Sequence, residues 1–299
     1  MPIRLLLALA LVATGCSTTE EVALPTVPGL AVAESDADVA TSFARLIAAL
    51  DAAEPVGIVA QVDHAANAAM AELSLRPTRV VLFGNPALGT PLMQANPQAG
   101  LDLPQNLLVY EDAEGRTVVG YNTTDYLARR HGLESVATLS QIDGALARFA
   151  LTAAGDDAVI APTSAVGVVR DQGVVSVASD DDVATVYARL RAAIDGNPNL
   201  TIVAELDHQA NAASVGMTLP PIRLVVFGNP ALGTPLMRTG QTVGIDLPQK
   251  MLVYPSASGG SVVAYNDPGY LASRHGLGTP AEVATIRGAL DALATAATE

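Results

Sequence analysis

The chain has 299 residues, half of them hydrophobic, which is enough for two domains of ordinary size, each with its own core. The formal net charge is -14, from 30 acidic and 16 basic residues, and it excludes the nucleic-acid-binding classes that need a clustered basic surface. Cys16 is the single cysteine, which excludes disulfide and thiol chemistry from the folded domains.

The N-terminus has the pattern of a bacterial lipoprotein signal peptide. Arg4 supplies a positive charge, residues 5–13 form an apolar run, and Gly15 precedes Cys16. The run is shorter than the roughly 20 apolar residues that span a bilayer, so no transmembrane helix is predicted. We predict that residues 1–15 are a cleaved signal peptide and that Cys16 carries a lipid anchor. The alternative is an ordinary signal peptide with an unrelated cysteine.

This interpretation places the protein outside the cytoplasm. A lipid on Cys16 would attach the chain to a membrane of the cell envelope, facing the periplasm or the exterior. Residues 16–28, which are rich in Thr, Glu and Pro, would be a tether between the anchor and the folded part.

The rest of the chain contains one sequence twice. The segment FGNPALGTPLM occurs at residues 83–93 and again at residues 227–237, an offset of 144 positions (227 − 83). The same offset relates the two DH, DLPQ and RHG segments, with no insertion between the copies. A period this long predicts tandem globular domains. We place the first copy at residues 29–155, the second at 173–299 and the linker at 156–172.

The elements of one copy can be predicted in chain order. A strand near residues 30–33 is followed by Ser35-x-x-Asp38, which resembles a capping box, and by a helix with an apolar face of Val39, Phe43, Leu46, Ile47 and Leu50. Alternation from Val56 to Val62 predicts a strand, after which Asp63 caps an Ala-rich helix. Residues 79–83 form another strand, and Thr90-Pro91 predicts a helix entry with Pro at its first position.

The second half of a copy is predicted to begin with a hairpin. Residues 107–110 and 117–121 flank a Glu-Gly turn, and Tyr110 and Tyr121 are predicted core residues. Helices follow at about residues 124–130 and 135–150. Paired strands with helices between and after them predict an α+β fold class, with an antiparallel sheet packed against helices in two layers, present twice.

Several motifs together resemble those of the domain-of-unknown-function 302 family. They are DHxxNA, RPTRVVLFGNPALGTPLM, DLPxxLLVY, a YN pair and a YLARRHGL-like segment, and the resemblance covers nearly all of both copies. The resemblance implies a small α+β domain with a curved antiparallel sheet. It implies no assigned activity, so function has to be argued from the residues themselves.

The candidate ligand-binding residues are polar residues that both copies share in the DH, FGNP and RHG segments. They are Asp63, His64, Asn67, Asn85, Thr90, Arg130 and His131 in the first copy, and Asp207, His208, Asn211, Asn229, Thr234, Arg274 and His275 in the second.

A divalent metal is one candidate ligand, with His64 and His208 as candidate metal ligands. The site would need His64 and His131 to meet near Asp63 or Asp102, although the two histidines show no local metal-binding spacing. Helix capping explains the same residues more simply, with Asp63 as an N-cap and Arg130-His131-Gly132 as a helix end. The sequence identifies no cofactor.

The FGNP segment could hold an anion, because it lies between a strand and a helix start. The alternative is a tight turn that places Leu92 and Met93 in the core. Lys250 is the only lysine, so a nucleotide-binding P-loop is excluded, and the lack of a G-x-S-x-G motif argues against a serine hydrolase.

Three hypotheses for function remain open. The first is a cell-envelope protein whose copies pack about a pseudo-two-fold axis and each bind a small ligand or metal near the DH, FGNP and RHG segments. The second is a periplasmic or extracellular enzyme with His64 as base and Asp63 as its orienting group. The third is a structural or assembly module in which the shared segments join the two copies.

Overall fold

The computed structural model describes residues 23–299, and the predicted signal peptide with Cys16 lies outside the described residues. The strands of the first half are β1 (Leu30–Glu34), β2 (Gly57–Asp63), β3 (Thr78–Gly84), β4 (Gln105–Glu111), β5 (Thr117–Asn122) and β6 (Ala161–Pro162). Its helices are α1 (Val39–Asp51), α2 (His64–Met70), α3 (Pro86–Ala95), α4 (Thr124–His131) and α5 (Leu139–Ala154), with a 3₁₀ helix at Pro97–Asp102.

The second half repeats this order. Its strands are β7 (Val174–Ser179), β8 (Thr201–Asp207), β9 (Arg223–Gly228), β10 (Gln249–Pro255) and β11 (Ser261–Asn266). Its helices are α6 (Val183–Asp195), α7 (His208–Ser214), α8 (Pro230–Thr239), α9 (Pro268–Arg274) and α10 (Ala281–Thr298), with a 3₁₀ helix at Gln241–Ile245.

Each half is an antiparallel sheet covered by helices, which confirms the α+β fold class. The first sheet has the strand order β2-β3-β4-β5-β1-β6, and the second has the order β7-β11-β10-β9-β8. Helices α1 and α5 pack together on the first sheet, as α6 and α10 do on the second. Strand β6 comes from the segment interpreted as a linker and extends the first sheet beside β1.

Local capping residues set most helix starts, and three starts differ from the prediction. Asp38, rather than Ser35, caps α1 by accepting a hydrogen bond of 2.7 Å from the Thr41 N–H. Helix α3 begins at Pro86, one turn before the predicted entry at Thr90-Pro91. Asn85 supplies the cap and Pro86 occupies the first turn, where its missing N–H is tolerated. Helix α5 also starts later than predicted, at Leu139.

The main hydrophobic core extends across both copies, and the second copy has a further core cluster of its own. Tyr110 and Tyr121 are buried as predicted, and the main apolar cluster joins first-copy residues such as Leu108 to Ile222 and Leu252 of the second copy. The copies approach closely at Gly100, where an added Cβ would lie 3.0 Å from the Leu252 side chain. This packing is continuous with the core of the first sheet and includes Leu224 and Val226 of the second sheet.

Helix length and hydropathy were also compared with what a bilayer requires. Within residues 23–299, none of the helices combines the length and the apolar character that crossing a membrane demands.

Candidate functional site

Shared polar residues of both copies meet in a buried cluster between the two sheets, which we call the interface cluster. It consists of Asp102, Asn122, Arg130 and His131 with their equivalents Asp246, Asn266, Arg274 and His275. Arg130 Nη1 and His131 Nε2 each lie 2.7 Å from Asp102 Oδ2. In the second copy, Arg274 and His275 make the same contacts with Asp246 at 2.9 and 2.8 Å. The DLPQ and RHG segments therefore meet in each copy.

The interface cluster also joins the copies by reciprocal hydrogen bonds. Arg130 Nη2 donates to Asn266 Oδ1 at 2.6 Å, and Arg274 Nη2 donates to Asn122 Oδ1 at 2.7 Å. The Nε groups of both arginines donate to backbone carbonyls of Gln172 and Pro28. Such reciprocity is what a pseudo-two-fold relation between the copies produces.

Electrostatics favour charged groups in this cluster despite its burial. Burial raises the pKa of Asp102, but the Arg130 guanidinium and the hydrogen bond from His131 outweigh it and hold this pKa well below its usual range. Asp246 shows the same balance with Arg274 and His275. Lys250 is buried as well; burial lowers its pKa, while Asp102 and Asp246 oppose that shift.

The RHG segments thus have structural partners. Helix α4 ends at His131 with Gly132 in the left-handed conformation, φ 66°, which confirms the predicted helix end. Arg130, His131, Arg274 and His275 line neither of the two apolar pockets at the FGNP segments. The DH, FGNP and RHG segments were expected to share one cleft. Instead, the RHG segments belong to the interface cluster, and the DH and FGNP segments line the pockets.

Two equivalent pockets lie where the FGNP segment of one copy faces the DH segment of the other. The first pocket, about 520 Å³, joins the first copy's FGNP segment and α5 to α7 of the second copy. The second pocket, about 350 Å³, joins the second copy's FGNP segment and α10 to α2 of the first copy. Their walls are mostly apolar, as in small-molecule sites, and each pocket needs both copies to form.

Two kinds of buried polar atom lack a partner at equivalent positions of both copies. They are the Nε2 atoms of His64 and His208 and the hydroxyls of Thr90 and Thr234. Thr90 and His208 line the first pocket, whereas Thr234 and His64 line the second. Other partnerless buried atoms within residues 23–299, including His131 Nδ1, occur in one copy only. Because buried polar groups are normally hydrogen-bonded, this repeated pair points to a ligand.

The pocket histidines are neutral at ordinary pH. Burial lowers the pKa of His208 to about 4, although Asp207 and a backbone hydrogen bond at Gly100 oppose the shift. Burial likewise lowers the pKa of His64 to about 4, against backbone hydrogen bonds at Gly244 and Leu247 and the charge of Asp63. A backbone carbonyl accepts only, so in His208 the ring nitrogen bonded at Gly100 carries the proton and Nε2 is left as an acceptor.

The aspartates next to these histidines have other partners. Asp63 caps α2 through the Ala66 N–H at 2.9 Å and pairs with Arg79, also at 2.9 Å. Asp207 does the same with the Ala210 N–H at 2.9 Å and with Arg223 at 3.3 Å. The carboxylates therefore act as helix caps and ion-pair partners.

The start of α3 uses its own N–H groups. Pro86 has none, the Ala87 N–H donates to the Asn85 side chain at 3.0 Å, and the Leu88 and Gly89 N–H groups donate to the Asn85 carbonyl. Asn229 repeats this arrangement at α8. An anion at these helix ends would have to displace the internal cap. Leu92 and Met93 are buried, as the tight-turn alternative predicts.

The remaining candidates, Asn67 and Asn211, line the second and first pockets. Within the part of the chain that the structure describes, no three His, Cys, Asp or Glu side chains come together as a metal site would require. Apart from Asp63 in the second pocket, the polar side chains that line the two pockets are neutral hydrogen-bonding groups on apolar walls.

Sequence reasoning missed how the copies share these sites. The YN pairs were visible as shared segments, yet the role of Asn122 and Asn266 depends on arginines of the other copy. Lys250 gave no signal, because the equivalent position of the first copy is Asn106. Each pocket histidine lies beside the FGNP segment of the other copy, and no local sequence pattern indicates this contact.

A family model supports the tandem arrangement. The family model described as "Domain of unknown function DUF302" matches residues 31–149 and again residues 175–296. A solved structure of an uncharacterized DUF302 protein from Bacillus stearothermophilus is 18% identical, with a TM-score of 0.37, and the match covers 42% of this chain and 98% of that one.

Curated relatives share a shorter segment. Proteins named fluoride-specific ion channel FluC 1 from Brucella suis and Brucella abortus are each 40% identical to 114 residues, or 38%, of this chain. The match spans 44% and 42% of their own lengths, which is less than half of either relative.

Proposed function

We propose that this chain, which belongs to the DUF302 family of unknown function, is a binding protein for small apolar molecules with one site in each of its two pockets. The observation that carries the proposal is the repeated pair of partnerless buried atoms, His Nε2 and Thr Oγ1, in both pockets. Leaving such atoms buried without a partner costs about 1–3 kcal/mol each, and a ligand would recover that cost.

The proposed function includes the cell-envelope location. Arg4, the apolar run and Cys16 support export and lipid attachment. Metabolic labelling with a fatty-acid analogue in a bacterial host should mark the wild-type chain and place it in the membrane fraction. Cys16→Ser should lose the label; an unlabelled wild-type chain would contradict the anchor.

Binding can be counted with an uncharged apolar fluorophore, N-phenyl-1-naphthylamine. Wild-type protein should bind two molecules per chain. Ala145 lines the first pocket and Ala289 the second, and both are only partly buried, so a Trp at either position should fill its pocket. Each single variant should bind one fluorophore, and the double variant should bind none.

A matched control separates pocket filling from a general effect of added Trp. Gln141 lies on the exposed face of the same helix as Ala145, outside the pocket lining. Gln141→Trp should keep two sites and the wild-type melting temperature. Unchanged stoichiometry in the Ala145→Trp, Ala289→Trp double variant would sink the proposal.

A structural role for the interface cluster is compatible with this function and is favoured by the reciprocal Arg130–Asn266 and Arg274–Asn122 contacts. In that view the interface cluster fixes the two copies so that each pocket keeps its two walls. The fluoride-channel name of the curated relatives is not carried over, because the match covers a minor part of both chains.

A further inference from the structure

The first pocket presents a ligand with neutral groups only. The polar residues lining the first pocket are Asn85, Thr90, Gln105, His208, Asn211 and Ser214, and none of the described lining residues is Asp, Glu, Lys or Arg. The second pocket adds Asp63, which is already paired with Arg79. The first pocket therefore supplies no counter-ion for a charged ligand, and the single carboxylate of the second pocket is shared with Arg79.

Without a counter-ion, an apolar pocket disfavours charged ligands. Moving a carboxylate or ammonium group from water to an apolar site costs several kcal/mol unless an opposite charge compensates. The pocket histidines do not provide one near neutral pH, because burial lowers their pKa to about 4. A charged end group would have to remain at the pocket mouth, in water.

The partnerless atoms restrict the neutral ligand further. His208 is 4% exposed and its Nε2 can only accept a hydrogen bond, whereas the hydroxyl of Thr90, 1% exposed, can donate or accept. A ketone, ester or ether accepts only and would leave Nε2 without a donor. A hydroxyl is the smallest neutral group that donates to His Nε2 and accepts from Thr Oγ1 together.

We propose that each pocket selects an uncharged alcohol, with its apolar body on the hydrophobic walls and its hydroxyl between the partnerless histidine and threonine. This inference rests on the proposed function and names the ligand class of the same sites. The second pocket contains His64 and Thr234 in the equivalent places, so it selects the same class in a smaller volume.

The test is competition against bound N-phenyl-1-naphthylamine by four ligands of similar length: 1-octanol, heptyl methyl ether, octanoate and octylammonium. 1-Octanol should compete at about fivefold lower concentration than the ether, since one net hydrogen bond is worth about 1 kcal/mol. It should compete at more than tenfold lower concentration than either ion. Isothermal titration calorimetry should show two bound 1-octanol molecules per chain.

Substitution of the threonine and the histidine tests whether these two side chains cause the preference for 1-octanol over the ether. In the Ala289→Trp background, where the first pocket alone is open, Thr90→Val with His208→Phe should make 1-octanol and the ether equal. The fluorophore should still bind that variant, which shows that the pocket is intact.

The outcomes distinguish the two proposals. If the fluorophore binds but octanoate or the ether competes as well as 1-octanol, the ligand class is wrong and the binding function stands. If neither the fluorophore nor 1-octanol binds the wild-type protein, the ligand class and the proposed function fail together.

Discussion

The interface cluster and the two pockets are built from the same kind of residue, polar side chains shared by both copies, yet their bonding differs. In the interface cluster, Asp102 and Arg130 have partners on every side, including the other copy. In the pockets, Thr90 and His208 present atoms with no partner. The difference teaches that similarity between the copies marks two kinds of site, the contacts that hold the copies together and the pockets that we propose bind a ligand.

The largest expected effect comes from breaking the interface cluster. Arg130→Ala leaves Asp102 buried without its ion-pair partner and removes the bond to Asn266, so the free energy of unfolding should fall by about 3–5 kcal/mol. Chemical denaturation measures this loss. The neighbouring Arg129→Ala is the control, because its exposed pair with Asp125 is worth only about 0–0.5 kcal/mol.

An equal, small effect of both substitutions would contradict the structural role of the interface cluster. If Arg130→Ala instead loses less stability but no longer binds the fluorophore in either pocket, the interface cluster is part of the binding site.

Acid should act on the buried histidines and on the buried aspartates in different pH windows. The pocket histidines have a folded pKa of about 4, below the unfolded value of 6.5, so the unfolded state takes up their protons first on acidification. Stability should therefore fall between about pH 6.5 and pH 4, by up to about 3 kcal/mol for each histidine. Asp102 and Asp246, whose pKa values are held low, lose their contribution below about pH 4.

Thermal unfolding across pH 3–8 measures this profile, with the double variant His64→Gln and His208→Gln as the comparison. The variant should reduce the loss between pH 6.5 and 4 and keep the loss at lower pH; the part that remains below pH 6.5 comes from His275, whose pKa burial also lowers. A wild-type profile that is flat above pH 4 would contradict the neutral, buried state of the pocket histidines.

The smallest expected effect is a gain in stability. Thr90→Val and Thr234→Val keep the side-chain shape and remove buried hydroxyls that have no partner. Each substitution should be neutral or should raise the free energy of unfolding by up to about 1 kcal/mol. Ser42, whose buried hydroxyl contacts that of Ser35 at 2.7 Å, is a bonded control, and Ser42→Ala should destabilise the protein.

The sequence predicted most of the local structure, because strands, caps and helices depend on neighbouring residues. Asp63 caps α2, Gly132 ends α4 and the β4–β5 hairpin forms as the pattern indicated. Where prediction failed locally, two signals competed: Thr90-Pro91 and Asn85-Pro86 both fit a helix start, and the latter has the better cap.

The candidate site was predictable in its residues but not in its grouping. His64, Thr90 and their equivalents were found from the similarity of the copies, whereas their crossed arrangement depends on how the two sheets pack. Arg130 illustrates the same limit, since its helix-end position was local information and its contact with Asn266 was not. The periodicity of a sequence does not indicate which segments, far apart in the chain, pack against each other.

The most direct test of the central claim uses the four histidines of the chain as reporters, two in the pockets and two in the interface cluster. Ring ¹⁵N NMR with stepwise addition of 1-octanol should shift the Nε2 signals of His64 and His208 as the ligand hydroxyl donates to them. The signals of His131 and His275, which already bond Asp102 and Asp246, should stay in place. Shifts confined to His131 and His275, or no shift at any histidine under saturating ligand, would contradict the account.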